Sequence, residues 1–317
     1  MSYYAGIDLG GTKIAVGIWD ADARRLIAHD VTPTHAHEGP DAVVPRMAAL
    51  VRQVVERSGV TLSGAGLGVP GVIDVETGCT LLVPNLPGWY GRPVVAEMGS
   101  ALGLRVSLIN DARAFTLAEA VEGAGRDGNV VACFTVGTGI GGGLAINGRL
   151  HLGLRNAAGE FGHQTLEPEG PLCGCGNHGC LEALASGYAI TASGVQAARE
   201  QPDGVIATLA ANDLDRITPE LIKQAAQAGD GAACGILNRA GTYLGIGIAN
   251  VLVILSADTV VIGGGVSQLG DWLLDPVRAA VYERCHTVAL DQVRIVRAAL
   301  GQNAGVIGAA IWAAQQN

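Results

Sequence analysis

Two stretches of the chain share one pattern of apolar and turn-forming residues. Residues 5–20 read AGIDLGGTKIAVGIWD, and residues 132–148 read ACFTVGTGIGGGLAING. In each, an apolar run enters a Gly/Thr turn and leaves as a second apolar run, which predicts a strand, a tight turn and a returning strand. Aligning Asp8 with Thr135 brings Gly10 onto Gly137. The pattern therefore indicates an internal repeat.

Strands and helices alternate after each copy of the repeat. The pattern predicts strands at 24–32, 64–71, 105–110, 259–265 and 293–298. It predicts helices at 39–59, 92–103, 186–200, 218–227 and 304–316, and a long apolar helix that begins at 231. This order predicts two α/β lobes with a cleft between them. We expect an N-terminal lobe over residues 1–122, closed by a C-terminal helix over 303–317, and a larger C-terminal lobe over 123–302.

Composition narrows the class of partner. The chain has 317 residues, 47 glycines and a formal net charge of -9, which argues against binding to nucleic acid or an acidic membrane surface, since both need clustered Lys and Arg. The first ten residues lack a basic segment and a long apolar segment, so we expect a cytoplasmic protein with free thiols and a small-molecule partner.

One apolar stretch is long enough to be considered as a membrane span. Residues 240–257, AGTYLGIGIANVLVILSA, contain no charged residue. Asn250 lies inside the stretch and the glycine run GGG follows it soon afterwards. We therefore predict a buried core helix.

Three glycine-rich turns are candidate phosphate contacts, because backbone N–H groups reach an anion most easily where no Cβ intervenes. Each one alone is equally consistent with a structural turn. With the lysine that follows the first turn, the candidate nucleotide contacts are Gly10, Gly11, Thr12, Lys13, Gly137, Thr138, Gly139, Gly263, Gly264 and Gly265.

Two common nucleotide motifs do not fit these turns. Gly137, Gly139 and Gly142 match G-x-G-x-x-G, but LAINGRL follows them and predicts a strand with a hairpin turn at Asn147-Gly148, so a Rossmann site is disfavoured. The segment around Lys13 also precedes a strand, which makes Lys13 more a hairpin side chain than a phosphate clamp.

Two aspartates follow predicted strands. Asp8 ends the first strand before a glycine turn, where a carboxylate either holds Mg²⁺ through water beside a nucleotide phosphate or accepts N–H groups of the turn. Asp111 follows the strand that ends at Asn110. The residues alone allow two roles for Asp111, a helix N-cap and a carboxylate that faces a ligand.

The segment EFGHQTLEPEGPLCGCGNHGCLE, residues 160–182, concentrates metal-ligand residues. Cys173, Cys175 and Cys180 with one imidazole complete a tetrahedral zinc set, and a closed set of four ligands indicates a structural rather than a catalytic metal. His163 and His178 are both candidates for the fourth ligand. A disulfide is disfavoured in the cytosol. The remaining cysteines, which we expect to be small core residues, are Cys79, Cys133, Cys234 and Cys285.

Six motifs in order, DLGGTK, GVPG, NDARA, GTGIGGG, GEFGH and CGCGNHGCLE, resemble the bacterial sugar kinases of the ROK family. The resemblance covers nearly the whole chain, from Gly6 to about Gly308. It implies the two-lobed actin-like ATPase, or ribonuclease H-like, fold, with ATP and Mg²⁺ for catalysis and Zn²⁺ for structure.

The resemblance also implies roles for individual residues. It makes Asp111 the catalytic base that takes the proton of the sugar hydroxyl. It favours His163 over His178 as the fourth zinc ligand, in a zinc loop over residues 163–180, with its other ring nitrogen toward the sugar. The residues that it places at the sugar are Gly71, Asn85, Asn110, Asp111, Glu160, His163 and Glu182.

The activity that the resemblance implies is phosphorylation of a hexose at its 6-hydroxyl, with glucose as the leading substrate. N-acetylglucosamine and N-acetylmannosamine kinases carry nearly the same motifs, and polyphosphate is an alternative donor to ATP. A sugar-responsive transcriptional regulator is disfavoured, since only five residues precede Gly6.

Family kinases are often dimers or tetramers, so we expect a homo-oligomer. Arg113 departs from the family pattern. We expect that it either alters the contacts to nucleotide or substrate or faces solvent as a helix residue.

Overall fold

The computed structural model describes residues 2–83 and 86–316. The chain divides into two compact units, one formed by Met1–Asp127, Gly148–Ala158 and Ala299–Asn317, the other by Gly128–Asn147 and Gly159–Ala298. The sequence pattern assigned residues 148–158 to the second lobe. They belong to the first unit because of long-range contacts: Arg113 donates to the Ala158 carbonyl and Gln315 to the Gly148 carbonyl.

The strands, numbered in chain order, are β1 (Tyr3–Leu9), β2 (Lys13–Asp20), β3 (Arg25–Pro33), β4 (Leu62–Val69), β5 (Val72–Asp74), β6 (Cys79–Leu82), β7 (Val106–Asn110), β8 (Val130–Val136), β9 (Ile140–Ile146), β10 (Arg149–Leu150), β11 (Thr259–Gly263) and β12 (Arg294–Arg297). The α-helices are α1 (Pro40–Ser58), α2 (Val94–Leu102), α3 (Asp111–Val121), α4 (Leu181–Ala185), α5 (Gly187–Glu200), α6 (Val205–Leu209), α7 (Pro219–Gln227), α8 (Gly231–Leu255), α9 (Asp271–Arg284) and α10 (Ala304–Gln316).

The first unit contains a sheet in the order β3-β2-β1-β4-β7. The first three strands pair antiparallel as successive hairpins, and β1, β4 and β7 run parallel. Asp8 pairs with Gly68, and Val69 pairs with Asn110. The parallel strands therefore end together, and Asp8 and Asn110 lie at the same carboxyl edge of the sheet.

The C-terminal helix α10 packs against this sheet with its backbone almost in contact with the strands. A Cβ atom on Gly6 would lie 1.8 Å from the Val306 carbonyl oxygen, and one on Gly66 would lie 1.8 Å from the Ala309 carbonyl oxygen. Any larger residue at these two positions would push the helix off β1 and β4. The apolar residues of α10 complete the core beside these strands, as the sequence pattern predicts.

The second unit repeats this plan. Strands β8 and β9 form an antiparallel hairpin, and β11 lies between β8 and β12 in parallel with both. Gly263 pairs with Thr135, so the glycine turns after β8 and β11 lie at one edge of this sheet. The predicted repeat is confirmed, because each unit has a hairpin whose first strand pairs in parallel with a later strand.

Helix α8 forms the centre of the second core. Leu237, Leu244, Ile248 and Leu252 on this helix are fully buried. Among the described residues α8 is the one helix long and apolar enough to cross a membrane, and 56% of its most apolar 18-residue window is buried inside the protein. This is the buried helix that the sequence pattern predicts.

Glu119, on α3, is a fully buried carboxylate that the sequence analysis missed. It accepts three backbone hydrogen bonds, from the N–H groups of Ala124, Ala299 and Leu300, at 2.8–3.1 Å. Two of these donors are the first residues of the chain after it returns from the second unit at Ala299. Glu119 thus holds both the outgoing and the returning segment in the first unit.

We predict that Glu119→Ala lowers the free energy of unfolding by about 3 kcal/mol or more, because three backbone N–H groups lose their charged acceptor. Urea unfolding monitored by circular dichroism measures this change. Glu56→Ala removes an exposed glutamate on α1, and we expect it to change the free energy by less than about 0.5 kcal/mol. Equal effects of the two substitutions would contradict the assignment of Glu119.

Candidate functional site

The hairpin between β1 and β2 contains the first group of predicted site residues. The Gly10 N–H donates to the Lys13 carbonyl at 2.9 Å and closes a tight turn. The Lys13 side chain is exposed and donates to the Gln302 side chain at 3.2 Å. The interpretation of Lys13 as a hairpin side chain agrees with this contact.

Asp8 lies at the end of β1, with its carboxylate against the first turn of α10, where a Cβ on Gly305 would lie 2.4 Å from its Oδ2. The pKa of Asp8 is raised from 3.8 to about 6, first by burial and then by the nearby Asp111 carboxylate, while Lys13 lowers it. Two carboxylates therefore share one poorly solvated region of the first unit. Such a region favours protons or divalent cations.

Asp111 is the first residue of α3 and follows β7 directly. The N-cap of this helix is Asn110, whose Oδ1 accepts from the N–H groups of Ala112 and Arg113. The cap interpretation of Asp111 is therefore wrong, because the helix begins at Asp111 itself, one residue earlier than a cap at Asp111 requires. Burial raises the pKa of Asp111, while the Ala112 N–H and the Arg113 guanidinium lower it.

Asn110 is buried and its amide is used within the protein. Besides capping α3, its Nδ2 donates to the Gly71 carbonyl at 3.0 Å. Gly71 has a φ of +83°, and a Cβ there would lie 2.2 Å from the Leu82 carbonyl oxygen, so only glycine fits. This contact holds the GVPG turn beside Asp111. Asn85, the other predicted loop residue near the sugar, lies outside the described residues.

Arg113 does not face solvent. It is 7% exposed, and its guanidinium donates to the Ala158 carbonyl at 3.2 Å. It also lowers the pKa of Asp111. Of the two expectations for this position, the solvent-facing side chain is therefore wrong, and the effect on nucleotide or substrate contacts stays a prediction.

The second unit carries the other two glycine turns. The turn at Gly137–Gly139 closes through a hydrogen bond from the Gly137 N–H to the Gly139 carbonyl at 2.9 Å and continues into β9. Asn147 and Gly148 then adopt positive φ, as expected for the predicted hairpin turn. Strand β9 rather than a helix follows Gly137–Gly139, as the sequence pattern predicts. Gly263 ends β11, and a short 3₁₀ helix begins at Gly265.

The predicted metal-ligand residues come together in the second unit. The ligand atoms of His163, Cys173, Cys175 and Cys180 all lie within 4.8 Å of one another. Cys175 Sγ is 3.7 Å from Cys180 Sγ, and Cys173 Sγ is 3.7 Å from His163 Nδ1. Two thiolates on one tetrahedral zinc with Zn–S bonds of about 2.3 Å are about 3.8 Å apart. The four groups therefore fit a tetrahedral ion.

His178 is not part of this cluster. Its Nδ1 lies 3.0 Å from the Gly170 carbonyl oxygen, and the residue is exposed. Burial raises the pKa of Cys180 to about 12, with the neighbouring thiols contributing. A cation at the centre of the cluster would reverse this preference for the neutral thiol.

The cysteines outside the cluster differ from the expectation in part. All seven cysteines are free thiols. Cys133 and Cys285 are buried in the core as predicted, whereas Cys79 and Cys234 are only partly buried. Cys234 still packs against the core of the second unit. The Sγ atoms of Cys79 and Cys234 also lie near the carbonyl oxygens of Thr77 and Ala226.

The two predicted glutamates of this region have different surroundings. Glu160 has a half-exposed carboxylate whose Oε2 lies 4.0 Å from His163 Nε2. Nδ1 of the same imidazole faces the thiols, so Nε2 is the nitrogen directed away from the cluster. Glu182, on α4, uses Oε2 to accept the Ile140 N–H at 2.9 Å. Its carboxylate therefore contacts the glycine turn.

Comparison with known proteins is decisive for the family. The sequence profile described as the ROK family matches residues 4–316. The chain belongs to the ROK family. It therefore has the two-lobed actin-like ATPase fold of ROK sugar kinases, and the resemblance and fold class predicted from the motifs are confirmed.

Three relatives within the ROK family are informative. The chain is 34% identical to a glucokinase from Thermotoga maritima over 305 residues, which cover 96% of this chain and 95% of the relative. It is 34% identical to an N-acetyl-D-glucosamine kinase from Shigella boydii over 320 residues, with 97% and 98% coverage. The crystal structure of a ROK family glucokinase from Streptomyces griseus in complex with glucose and AMPPNP superimposes with a TM-score of 0.83 at 33% identity, covering 99% of this chain and all of that one.

The raised pKa of Asp8 predicts a pH-dependent gain in stability for Asp8→Asn. The unfolded chain ionises this group near pH 4 and the folded chain near pH 6, so the folded protein is destabilised as pH rises through this interval. A shift of about two pKa units corresponds to about 3 kcal/mol. We expect Asp8→Asn to raise the free energy of unfolding by about 3 kcal/mol at pH 8 and by about half that at pH 5.

Urea unfolding at the two pH values tests this expectation. Asp203→Asn makes the same change in charge at an exposed position and serves as the control, with no difference expected between pH 5 and pH 8. A gain for Asp8→Asn that is the same at both pH values would show that burial of charge is not its cause.

Proposed function

We propose that the chain is an ATP-dependent hexose kinase that transfers the γ-phosphoryl group to the 6-hydroxyl of glucose. The observation that carries the proposal is the pair of carboxylates, Asp8 and Asp111, at the carboxyl edge of the first sheet, in a chain of the ROK family. Its identity to a glucokinase and its likeness to a glucokinase that binds glucose and AMPPNP support glucose and ATP.

In this proposal Asp111 is the base. The 6-hydroxyl proton passes to the Asp111 carboxylate as the new O–P bond forms and the bond to the leaving ADP breaks. A carboxylate with a raised pKa binds a proton more tightly than an ordinary aspartate, which suits late proton acceptance. The Ala112 N–H and the Arg113 guanidinium limit this rise in the pKa of Asp111.

Asp8 and the glycine turns are proposed for the nucleotide. The carboxylate of Asp8 fits a Mg²⁺ site, since it is a hard oxygen ligand in a region that disfavours an uncompensated charge. Mg²⁺ there would neutralise charge on the phosphate oxygens. The backbone groups of Gly10–Thr12, Gly137–Gly139 and Gly263–Gly265 are the proposed phosphate and nucleoside contacts.

The metal-ligand cluster is proposed as a structural zinc site with His163 as its fourth ligand. Nδ1 of His163 binds the metal, and Nε2 is then free to meet a sugar hydroxyl. Glu160 and Glu182 are proposed to accept further sugar hydroxyls, and the remaining N–H of the Asn110 amide to donate to one.

A second candidate is N-acetylglucosamine kinase activity, favoured by the 34% identity to an N-acetyl-D-glucosamine kinase. An ADP-release assay with ATP, comparing glucose, N-acetylglucosamine, N-acetylmannosamine, mannose and fructose, separates the two, and polyphosphate is tested as the alternative donor. We expect the highest kcat/KM for glucose with ATP. Turnover that no sugar stimulates would contradict the kinase proposal.

The same assay tests Asp111. We expect Asp111→Asn to lower kcat by about 10²–10⁴-fold, as loss of a general base does, with little change in KM for ATP. The midpoint of thermal unfolding should stay the same or rise, because a buried charge is removed. Near-normal kcat in a folded Asp111→Asn protein would contradict the assignment.

For the metal, we predict about one zinc per chain in the wild type and in His178→Ala, and loss of zinc in His163→Ala, as measured by elemental analysis. His163→Cys offers a sharper comparison, because four thiolates also bind zinc while the imidazole is lost. We expect this variant to keep its zinc and to bind glucose more weakly. Loss of zinc in His178→Ala with retention in His163→Ala would reverse the ligand assignment.

A further inference from the structure

The segment that leaves the metal-ligand cluster runs directly to the glycine turn after β8. Cys180 is the N-cap residue of α4, and Leu181, the first residue of this helix, donates its N–H to the Gln164 carbonyl at 3.0 Å. Leu181 and Ala185 are fully buried. The position of Cys180 therefore determines where α4 begins and how its first turn is oriented.

The carboxylate of Glu182, in the first turn of α4, contacts both the cluster and the turn. Its Oε1 lies 3.6 Å from Cys173 Sγ, and its Oε2 accepts the Ile140 N–H at 2.9 Å. The approach to the turn is close, since a Cβ on Gly139 would lie 2.3 Å from Oε2. A metal-bound thiolate at Cys173 has no proton to donate to Oε1, so the link between the cluster and the turn runs through Cys180, two residues before Glu182, and the Oε2 hydrogen bond.

Two backbone hydrogen bonds strengthen the same connection. The N–H groups of Gly187 and Tyr188, at the start of α5, donate to the carbonyls of Gly137 and Thr138 at 2.8 and 3.2 Å. With the Glu182 contact, three hydrogen bonds tie residues 182–188 to residues 137–140. Thr138, Gly139, Cys173 and Glu182 also line one cavity of about 790 Å³ within the second unit.

We propose that Glu182 is a positioning residue through which the metal-ligand cluster holds the 137–140 turn in its nucleotide-binding conformation. The inference rests on the proposed function, which assigns this turn to the nucleotide, and it gives Glu182 a role besides contact with the sugar. Metal occupancy and nucleotide affinity are then coupled, and by linkage each strengthens the other.

Binding of ADP in the absence of sugar, measured by isothermal titration calorimetry, tests the coupling. We expect removal of zinc from the wild type to weaken ADP binding by about tenfold, within the usual range of coupling between two sites. Zinc-loaded Glu182→Ala should bind ADP about tenfold more weakly than the wild type, and zinc removal should then weaken it less than about twofold further.

Two variants serve as controls. Glu182→Gln keeps an oxygen that accepts the Ile140 N–H, and we expect it to recover much of the ADP affinity that Glu182→Ala loses. Glu169→Ala removes an exposed glutamate from the same loop and should respond to zinc removal as the wild type does. ADP affinity that does not change when zinc leaves the wild type, or that falls equally in Glu182→Ala, would overturn the proposal.

Hydrogen exchange measured by mass spectrometry provides a readout that needs no ligand. In zinc-loaded protein, amides of residues 137–146 should exchange faster in Glu182→Ala than in the wild type and Glu169→Ala, because the Ile140 N–H loses its acceptor. Unchanged exchange would overturn the proposal. If no form of the protein binds ADP, the nucleotide assignment in the proposed function fails, and exchange still decides whether Glu182 holds the turn.

Discussion

The parallel pairing of β1 with β4 and of β4 with β7 is the constraint on which the first unit depends. Backbone hydrogen bonds fix the register, so that Asp8 and Asn110 lie at one edge although they are 102 positions apart along the chain. The helix α10 can cover these strands only because Gly6 and Gly66 leave room for its carbonyl groups. The site residues thus take their positions from the sheet, and the sheet keeps them through its contact with the last helix.

Bringing carboxylates together at this edge has an electrostatic cost. Asp8 and Asp111 both have raised pKa values because burial removes solvent, and Asp8 is further affected by its neighbour. Glu119 is buried more deeply but accepts three backbone N–H groups in compensation. The hydrogen bonds of Glu119 stabilise the fold. The negative charges of Asp8 and Asp111 are compensated less completely, as is common for groups that act on a ligand.

In the second unit a single loop brings two kinds of chemistry together. The segment from Glu160 to Glu182 supplies all four side chains of the metal-ligand cluster and then continues into α4, which contacts the glycine turn. A small change in the conformation of this loop therefore moves both the side chains of the metal-ligand cluster and the helix α4 that contacts the glycine turn. The short spacing between Cys180 and Glu182 leaves little freedom for one to move without the other.

The sequence by itself determined the fold class, the internal repeat, most strands and helices and the three cysteines of the metal-ligand cluster, and the family resemblance favoured His163 over His178 as its histidine. Periodicity and glycine turns are local signals, and the spacing of Cys and His directly limits which residues can meet at one ion. Only the tertiary structure decided features that depend on distant partners. It assigned residues 148–158 to the first unit, made Asn110 rather than Asp111 the cap of α3, and buried Arg113 and Glu119. Nothing in the nearby sequence distinguishes these residues from surface ones, because the groups that bury or bind them lie up to 181 positions away along the chain.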